Sequence, residues 1–163
     1  MASTIFLKIE GIKGESTDSN HKDEIELLAY SHGVSQPASA VASTAGGGTA
    51  GRCNHTDLSV QKMMDTATPV LNQYCCTGKH IPTITLTLRR ADGDKSIPYM
   101  VYKLTDVIIS SVSVGGSSDS VPAETVTFNY AKIEWEYTKQ ARAGGAAGGK
   151  TNGSWNLAKN ATS

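Results

Sequence analysis

The sequence predicts an all-β protein, a two-sheet antiparallel β-barrel with one short helix. Three observations indicate this fold class. Several segments alternate apolar and polar residues with a period of two, clusters of turn residues separate these segments, and only one stretch has the chemistry of a helix. At 163 residues the chain is one domain by length, and a domain of this size buries roughly 70% of the surface that its unfolded chain exposes. Residues 1–163 are therefore interpreted as a single domain.

The first and the central strands show the alternation most clearly. Aliphatic residues occupy the odd positions of Ile5–Glu10, which places Phe6 on the opposite face. In Thr83–Leu88 they occupy the even positions, and threonine, which suits a pleated outer face, occupies the odd ones. The pair Asp92-Gly93 suits a tight hairpin turn after this strand. Further strands are predicted at about 25–36, 56–64, 97–114 and 124–137, with a last short strand around Trp155.

The strand predicted at 124–137 changes phase along its length. Its apolar residues occupy even positions up to Tyr130 and odd positions from Ile133 onwards. A bulge near Ala131-Lys132 would return both sets to one face. Alternatively, the strand crosses into a second buried environment, as it would if its end reached a neighbouring subunit.

The helix is predicted at roughly Pro69–Thr77. Thr68 is a good N-cap, and proline suits the first helical position because its missing N–H would have no partner there. Gly78 supplies a left-handed stop, and Lys79 and His80 follow at the negative end of the helix.

Two segments are rich in small residues. Residues 35–51 form a Ser/Gly/Ala-rich connection, longer than an ordinary hairpin loop, and such loops are commonly functional. Residues 141–149 are predicted to be a flexible linker to the last strand.

Composition excludes several classes of partner and compartment. Fifteen basic residues balance fifteen acidic ones, so no net field attracts nucleic acid or an anionic membrane. No apolar run approaches the ~20 residues of a membrane helix. Met1–Thr4 have no basic segment or cleavage site, so we expect no ordinary signal peptide. Three cysteines are too few for a disulfide framework, so we expect free thiols and synthesis in a reducing cytoplasm.

Three motifs that suggest chemistry lack the context that the chemistry needs. Gly144–Thr151 matches the phosphate-binding loop pattern, but the sequence that follows is a poor helix former. Cys53 and His55 could bind zinc, but further ligands are missing nearby. Ser31 and His32 are strand neighbours that point to opposite faces, so they cannot form a catalytic pair. His21 and His80 have ordinary structural roles, and we predict no catalytic residue, metal or cofactor.

Five short motifs occur in a fixed order and spacing. They are Lys13-Gly14-Glu15-Ser16 with Asp18 and His21, Tyr30-Ser31-His32-Gly33, Ser110-Ser111-Val112, Glu134-Trp135-Glu136-Tyr137 and Gly153-x-Trp155. None is specific alone, but together they run from about Thr4 to Asn156, and the set resembles the Hcp family. Two features depart from the family pattern: a tryptophan is common where Tyr30 stands, and Cys75-Cys76 is not a family signature.

The resemblance implies a structural role in the bacterial type VI secretion system. It implies a hexameric ring, stacked rings that form a tube within a contractile sheath and beneath a spike, export without a signal peptide, and effector proteins bound in the lumen. Ser31 and Ala29 would then line the lumen. The turn Glu15–Asp18 would be a solvated loop or supply charges to a ring interface. The residues assigned to a ring-stacking loop are Ala40, Ser43, Gly46, Gly47 and Gly48.

The sequence is also compatible with two alternative functions. A monomeric ligand- or carbohydrate-binding β-sandwich would expose aromatic residues on a concave face. A secreted hydrolase would carry a triad that the sequence does not reveal.

Overall fold

The structure, a computed structural model, describes residues 3–37, 51–92, 95–140 and 147–162. Strands dominate this part of the chain, with a single α-helix after the sixth strand. The elements are β1 (Ser3–Ile9), β2 (Ile25–Leu27), β3 (Ala29–Ser31), β4 (Val34–Ser35), β5 (Asn54–His55), β6 (Leu58–Met63), α1 (Thr68–Thr77), β7 (Ile81–Asp92), β8 (Lys95–Gly115), β9 (Ala123–Gln140) and β10 (Ala147–Asn156).

An antiparallel sheet in the order β2-β1-β7-β8-β9-β6-β3 forms a nearly closed barrel. The two ends of this order meet because β2 and β3 are consecutive in the chain. Leu28 lies between them, and its N–H donates to the carbonyl of Gln61 at 2.8 Å. β10 pairs with β9 outside the barrel, and β4 and β5 form a separate two-stranded sheet. The all-β prediction is confirmed.

Aliphatic and aromatic residues from every barrel strand fill one core. Helix α1 packs on it through Leu71, which is 1% exposed. The helix begins at Thr68 rather than at Pro69, and its N-cap is Ala67, so the predicted threonine cap is wrong. The Thr68 hydroxyl instead donates to Glu124 Oε2 at 3.0 Å. The predicted stop at Gly78 is confirmed, with φ 65°.

The predicted bulge near Ala131-Lys132 is wrong. The β8–β9 register runs unshifted through this region, and it shifts only between Ile109 and Ser111. The alternation of buried and exposed positions switches at the same place in both strands. Tyr130 and Ile133 are both buried in β9, and so are their partners Val107 and Leu104 in β8. Asp106, between the last two, has φ 52°, and this left-handed residue reorients the strand.

Phe6 corrects the expectation of a single buried face in β1. Its ring is 2% exposed and stacks on the ring of His21, with centroids 4.3 Å apart. Arg89 Nη1 donates to His21 Nε2 at 2.8 Å, so the His21 proton lies on Nδ1 and is donated to Glu24 Oε2 at 2.7 Å. The loop that contains His21 therefore covers one part of the outer surface.

The two small-residue segments lie mostly outside the described residues. The predicted stacking residues Ala40, Ser43, Gly46, Gly47 and Gly48 all fall there. Residues 147–149 of the predicted linker belong instead to β10, which also contains Lys150 and Thr151. The final part of the phosphate-loop pattern is therefore a strand. No helix in the described ranges is long and apolar enough to cross a membrane.

Candidate functional site

Four neighbouring strands, β3, β6, β9 and β8, present a continuous outer surface of small uncharged side chains. Cross-strand pairing aligns them in two rows, because residues paired in antiparallel strands point to the same side. We call this surface the serine–threonine face; its members are Ala29, Gln61, Thr125 and Ser113 in one row and Ser31, Ser59, Thr127 and Ser111 in the other.

The alternation in each strand fixes which residues reach this face. The residues between the two rows point inward, where Val60 and Val126 are fully buried and Tyr30 and Val112 are partly buried. A one-residue slip of any strand would expose these apolar side chains, so the core holds the outer hydroxyls in register.

Ser31 and Ala29 both lie on this face and are exposed. Ser31 pairs with Ser59, and Ala29 pairs with Gln61. A shallow depression of about 120 Å³ lies between these residues and Tyr30. The structure thus places Ser31 and Ala29 together on one exposed surface.

Sequence reasoning gave Ser59, Thr125 and Thr127 no role, although each alternates with buried residues in its own strand. The Ser110-Ser111 pair was recognised only as a motif. Both of its hydroxyls reach Thr127 Oγ1, at 2.7 and 2.5 Å. The register between strands, which the sequence did not give, is what joins these residues.

Asp57 closes one end of the serine–threonine face. Ser110 Oγ donates to its Oδ2 at 2.6 Å, and the side-chain amide of Asn129 donates to its Oδ1 at 3.0 Å. The carboxylate is therefore held by neutral donors at the border of the face.

Two histidines converge on one phenol behind the β4–β5 hairpin. His32 Nε2 lies 2.5 Å and His55 Nδ1 lies 2.9 Å from the Tyr130 hydroxyl oxygen. Burial lowers the pKa of both histidines, and the charge of His55 lowers that of His32 further. Burial also raises the pKa of the Tyr130 hydroxyl above its usual range, with smaller contributions from Asp57 and Cys53. The cluster therefore favours neutral imidazoles packed against an uncharged phenol.

The possible metal pair takes other partners. His55 bonds to Tyr130, while the Cys53 thiol lies 3.8 Å from the carbonyl of Asn54. In the described part of the chain, three or more histidine, cysteine or carboxylate side chains nowhere gather closely enough to hold a metal ion. Cys53, Cys75 and Cys76 are free thiols.

The sequence that forms this barrel matches a known protein family over most of its length. A family described as type VI secretion system effector, Hcp, matches residues 6–137, which identifies a type VI secretion protein. The protein hcp1 of Pseudomonas aeruginosa is 42% identical over 161 residues, covering 98% of each chain. This chain belongs to the Hcp family.

Solved structures agree with this assignment over the whole barrel. A structure described as a type six secretion system protein has a TM-score of 0.92 at 33% identity and covers 99% of this chain and 100% of its own. Hcp1 from Salmonella typhimurium has a TM-score of 0.80 at 33% identity, with 100% of both chains covered. A type VI secretion effector from Yersinia pestis has a TM-score of 0.76 at 32% identity, covering 93% of this chain and 98% of that one.

Proposed function

We propose that six copies of this chain close into a ring, that the rings stack into a tube, and that effector proteins bind in its lumen against the serine–threonine face. The tube assembles in the cytoplasm within a contractile sheath, carries a spike, and leaves the cell without a signal peptide. The protein is a structural and carrier subunit rather than an enzyme.

The serine–threonine face is the observation that carries the cargo-binding part of the proposal. None of its eight members bears a charge, and six are serine or threonine. Short hydroxyl side chains leave room for a cargo protein and both donate and accept hydrogen bonds. Such a surface suits a carrier that must hold cargo without fixing it irreversibly.

The outer parts of β8 and β9 support ring closure. Beyond the buried pair Leu104–Ile133, the same face carries Tyr102 opposite Trp135 and then Met100 opposite Tyr137. These apolar side chains become progressively more accessible, and Tyr137 is 43% exposed. These apolar side chains of β8 and β9 could contact a different patch on the next copy. A heterologous contact of this kind can close into a ring.

The ring is tested by its mass. Native mass spectrometry at micromolar concentration should give six times the mass of one chain. A monomer over the whole concentration range would exclude the ring and favour a monomeric ligand-binding barrel.

The cargo surface is tested with Ser31→Gln, which adds bulk at the β3 edge of the face. We expect capture of a cognate effector to be lost, with the hexamer mass unchanged. Ser117→Gln is the matched control, because Ser117 is exposed in the turn between β8 and β9, outside the face. Equal effector recovery with Ser31→Gln and with the control would exclude Ser31 from the cargo surface.

A further inference from the structure

A chain of hydroxyl groups crosses part of the serine–threonine face and ends on the Asp57 carboxylate. Ser110 Oγ lies 2.6 Å from Asp57 Oδ2 and 2.7 Å from Thr127 Oγ1. Ser111 Oγ lies 2.5 Å from the same Thr127 oxygen. The other carboxylate oxygen, Asp57 Oδ1, accepts from the side-chain amide of Asn129 at 3.0 Å. We call Ser111, Thr127 and Ser110 the hydroxyl chain; its members belong to β8 and β9, and Asp57 directly precedes β6.

The carboxylate fixes the direction of each hydrogen bond in the hydroxyl chain. A carboxylate only accepts, so the hydroxyl hydrogen of Ser110 points to Asp57. Each hydroxyl has one hydrogen, so Ser110 accepts from Thr127, and Thr127 in turn accepts from Ser111. All three hydrogens are therefore used within the hydroxyl chain. A partner that approaches this part of the face meets oxygen lone pairs and no hydrogen of these hydroxyls.

Asp57 also gives this border of the face its charge. Among the eight members of the serine–threonine face and the three residues at its border, Asp57, Ser110 and Asn129, only Asp57 is charged. No lysine, arginine or histidine in the described ranges forms an ion pair with it. Burial raises the pKa of the nearby Tyr130 hydroxyl, and the negative charge of Asp57 raises it further. The carboxylate therefore presents a negative charge that none of the described cations neutralises.

The border is accessible to a partner. Asp57 is half-buried, while Ser110, Ser111 and Asn129 are exposed. Lysine and arginine side chains carry several N–H donors and no acceptor, so both suit a negatively charged surface of acceptors. A carboxylate on a partner would instead oppose the charge of Asp57 and find no hydrogen of the hydroxyl chain to accept. Charge and hydrogen-bond direction thus favour the same chemistry.

We propose that this border of the serine–threonine face selects cargo proteins that present lysine or arginine side chains, with Asp57 as the ion-pair partner and the hydroxyl chain as hydrogen-bond acceptors. The inference rests on the proposed cargo binding and adds the chemistry of the cargo. A ring of copies repeats the site in each subunit, so individually weak contacts with a basic surface act together. A cargo protein with an acidic surface is repelled at each copy.

Three fluorescent glycine–serine peptides of equal length test the selection; they carry evenly spaced lysine, glutamate or glutamine residues. Fluorescence anisotropy with the purified wild-type protein should show at least tenfold tighter binding of the lysine peptide than of the other two. The preference should weaken as salt is added, because mobile ions screen exposed charges. Equal affinity for the three peptides, or no binding of the lysine peptide, would overturn the inference.

Variants of Asp57 test the assignment of the charge. Asp57→Asn keeps the size of the side chain but removes the charge, so it should weaken binding of the lysine peptide at least tenfold. Asp57→Lys should bind the glutamate peptide more tightly than the lysine peptide. Asp119→Asn is the matched control, because Asp119 is exposed in the turn between β8 and β9, outside the face. The same affinity for the lysine peptide in Asp57→Asn and in the control would overturn the role of Asp57.

Ser110→Ala tests the hydroxyl chain separately from the charge. It leaves the Asp57 carboxylate in place but frees the hydroxyl hydrogen of Thr127 to point outward. The preference for the lysine peptide should fall about threefold. Ser113→Ala, which removes a hydroxyl of the face outside the hydroxyl chain, should leave the preference unchanged. Equal preferences in these two variants would overturn the role of the hydroxyl chain.

The proposed function and this inference fail in different ways. Full capture of a cognate effector by both Ser31→Gln and Asp57→Asn would reject the cargo surface itself. Loss of effector capture in Ser31→Gln, with an unchanged preference for the lysine peptide in Asp57→Asn, would retain the cargo surface and reject the selection by charge.

Discussion

Two short contacts between a basic and an acidic side chain lie in opposite environments in this barrel. Lys62 Nζ is 2.6 Å from Glu124 Oε2, and both side chains are at most 1% exposed. His80 Nδ1 is 2.7 Å from Asp106 Oδ1, but these side chains are 65% and 57% exposed. Nearly equal distances thus join groups that differ almost completely in their access to water.

The buried pair belongs to a network that joins the barrel to the start of helix α1. Lys62 also reaches Asp65, and the Thr68 hydroxyl donates to Glu124. Glu124 Oε1 has no partner among the described residues. Removing one buried charge leaves the other unsolvated, whereas water replaces a lost partner at the surface. Burial rather than distance therefore sets the cost of breaking each pair.

The largest effect is expected from Lys62→Met. It leaves the Glu124 carboxylate buried without its cation, which should cost about 3–5 kcal/mol of unfolding free energy. Chemical denaturation at fixed protein concentration measures the loss. Lys62→Met combined with Glu124→Leu removes both charges and should recover most of the stability. If the combined variant is no more stable than Lys62→Met alone, charge burial is not the cause.

Gly14→Ala should have the next largest effect, because it adds a methyl group at a crowded position and not at an open one. A Cβ at Gly14 would clash with the backbone carbonyl of Glu24, so the loop that covers Phe6 must shift at a cost of about 1–3 kcal/mol. Gly115→Ala is the control, since a Cβ there has no neighbour within 4 Å. Equal unfolding midpoints for the two variants would contradict this account of the loop motif.

The half-buried histidines should give a smaller effect that depends on pH. The folded state holds the pKa of His32 and of His55 below the ordinary value of 6.5, mainly by burial. Their stabilising contribution is complete above that pH and is lost as the pH falls from 6.5 through the lower folded pKa. His32→Phe with His55→Phe should therefore lose less stability than the wild type between pH 7.5 and 5. Parallel pH profiles of the unfolding midpoint would refute this role.

The smallest effect is expected at the exposed pair. His80→Ala should change the unfolding free energy by less than about 1 kcal/mol, because water and salt screen the contact with Asp106. A thermal unfolding series in low and high salt measures this change. A loss comparable with that of Lys62→Met would mean that exposure does not decide the cost.

Much of the barrel could be predicted because its signals are local. Alternation in Thr83–Leu88 and the left-handed stop at Gly78 each depend on a few neighbouring residues. Lys62 and Glu124 could not be recognised as core residues, because each charge is tolerated only through a partner that is distant in sequence. The burial of Phe6 could not be predicted for the same reason, since the loop that covers it is not part of its strand.

The candidate site also combines residues that the sequence predicted with residues that only the strand register reveals. Ser31 and Ala29 were named from a resemblance and do lie together on an exposed face. Their neighbours Ser59 and Thr127 required the strand register, which is a property of the whole sheet. The role of this face in cargo binding remains a prediction.

The way the barrel closes has a mechanical consequence. β2 joins β1 through three residue pairs, and β3 joins β6 through three more, whereas β7 and β8 share a far longer ladder. Under a force that pulls neighbouring strands apart, β2 and β3 (residues 25–31) should separate from β1 and β6 first. The amide hydrogens of these two strands should also exchange faster than those of β7. Ser31 lies at the end of this segment, so a protein bound tightly across Ser31 and Ser59 would also hold β3 against β6 and stabilise the closure of the barrel.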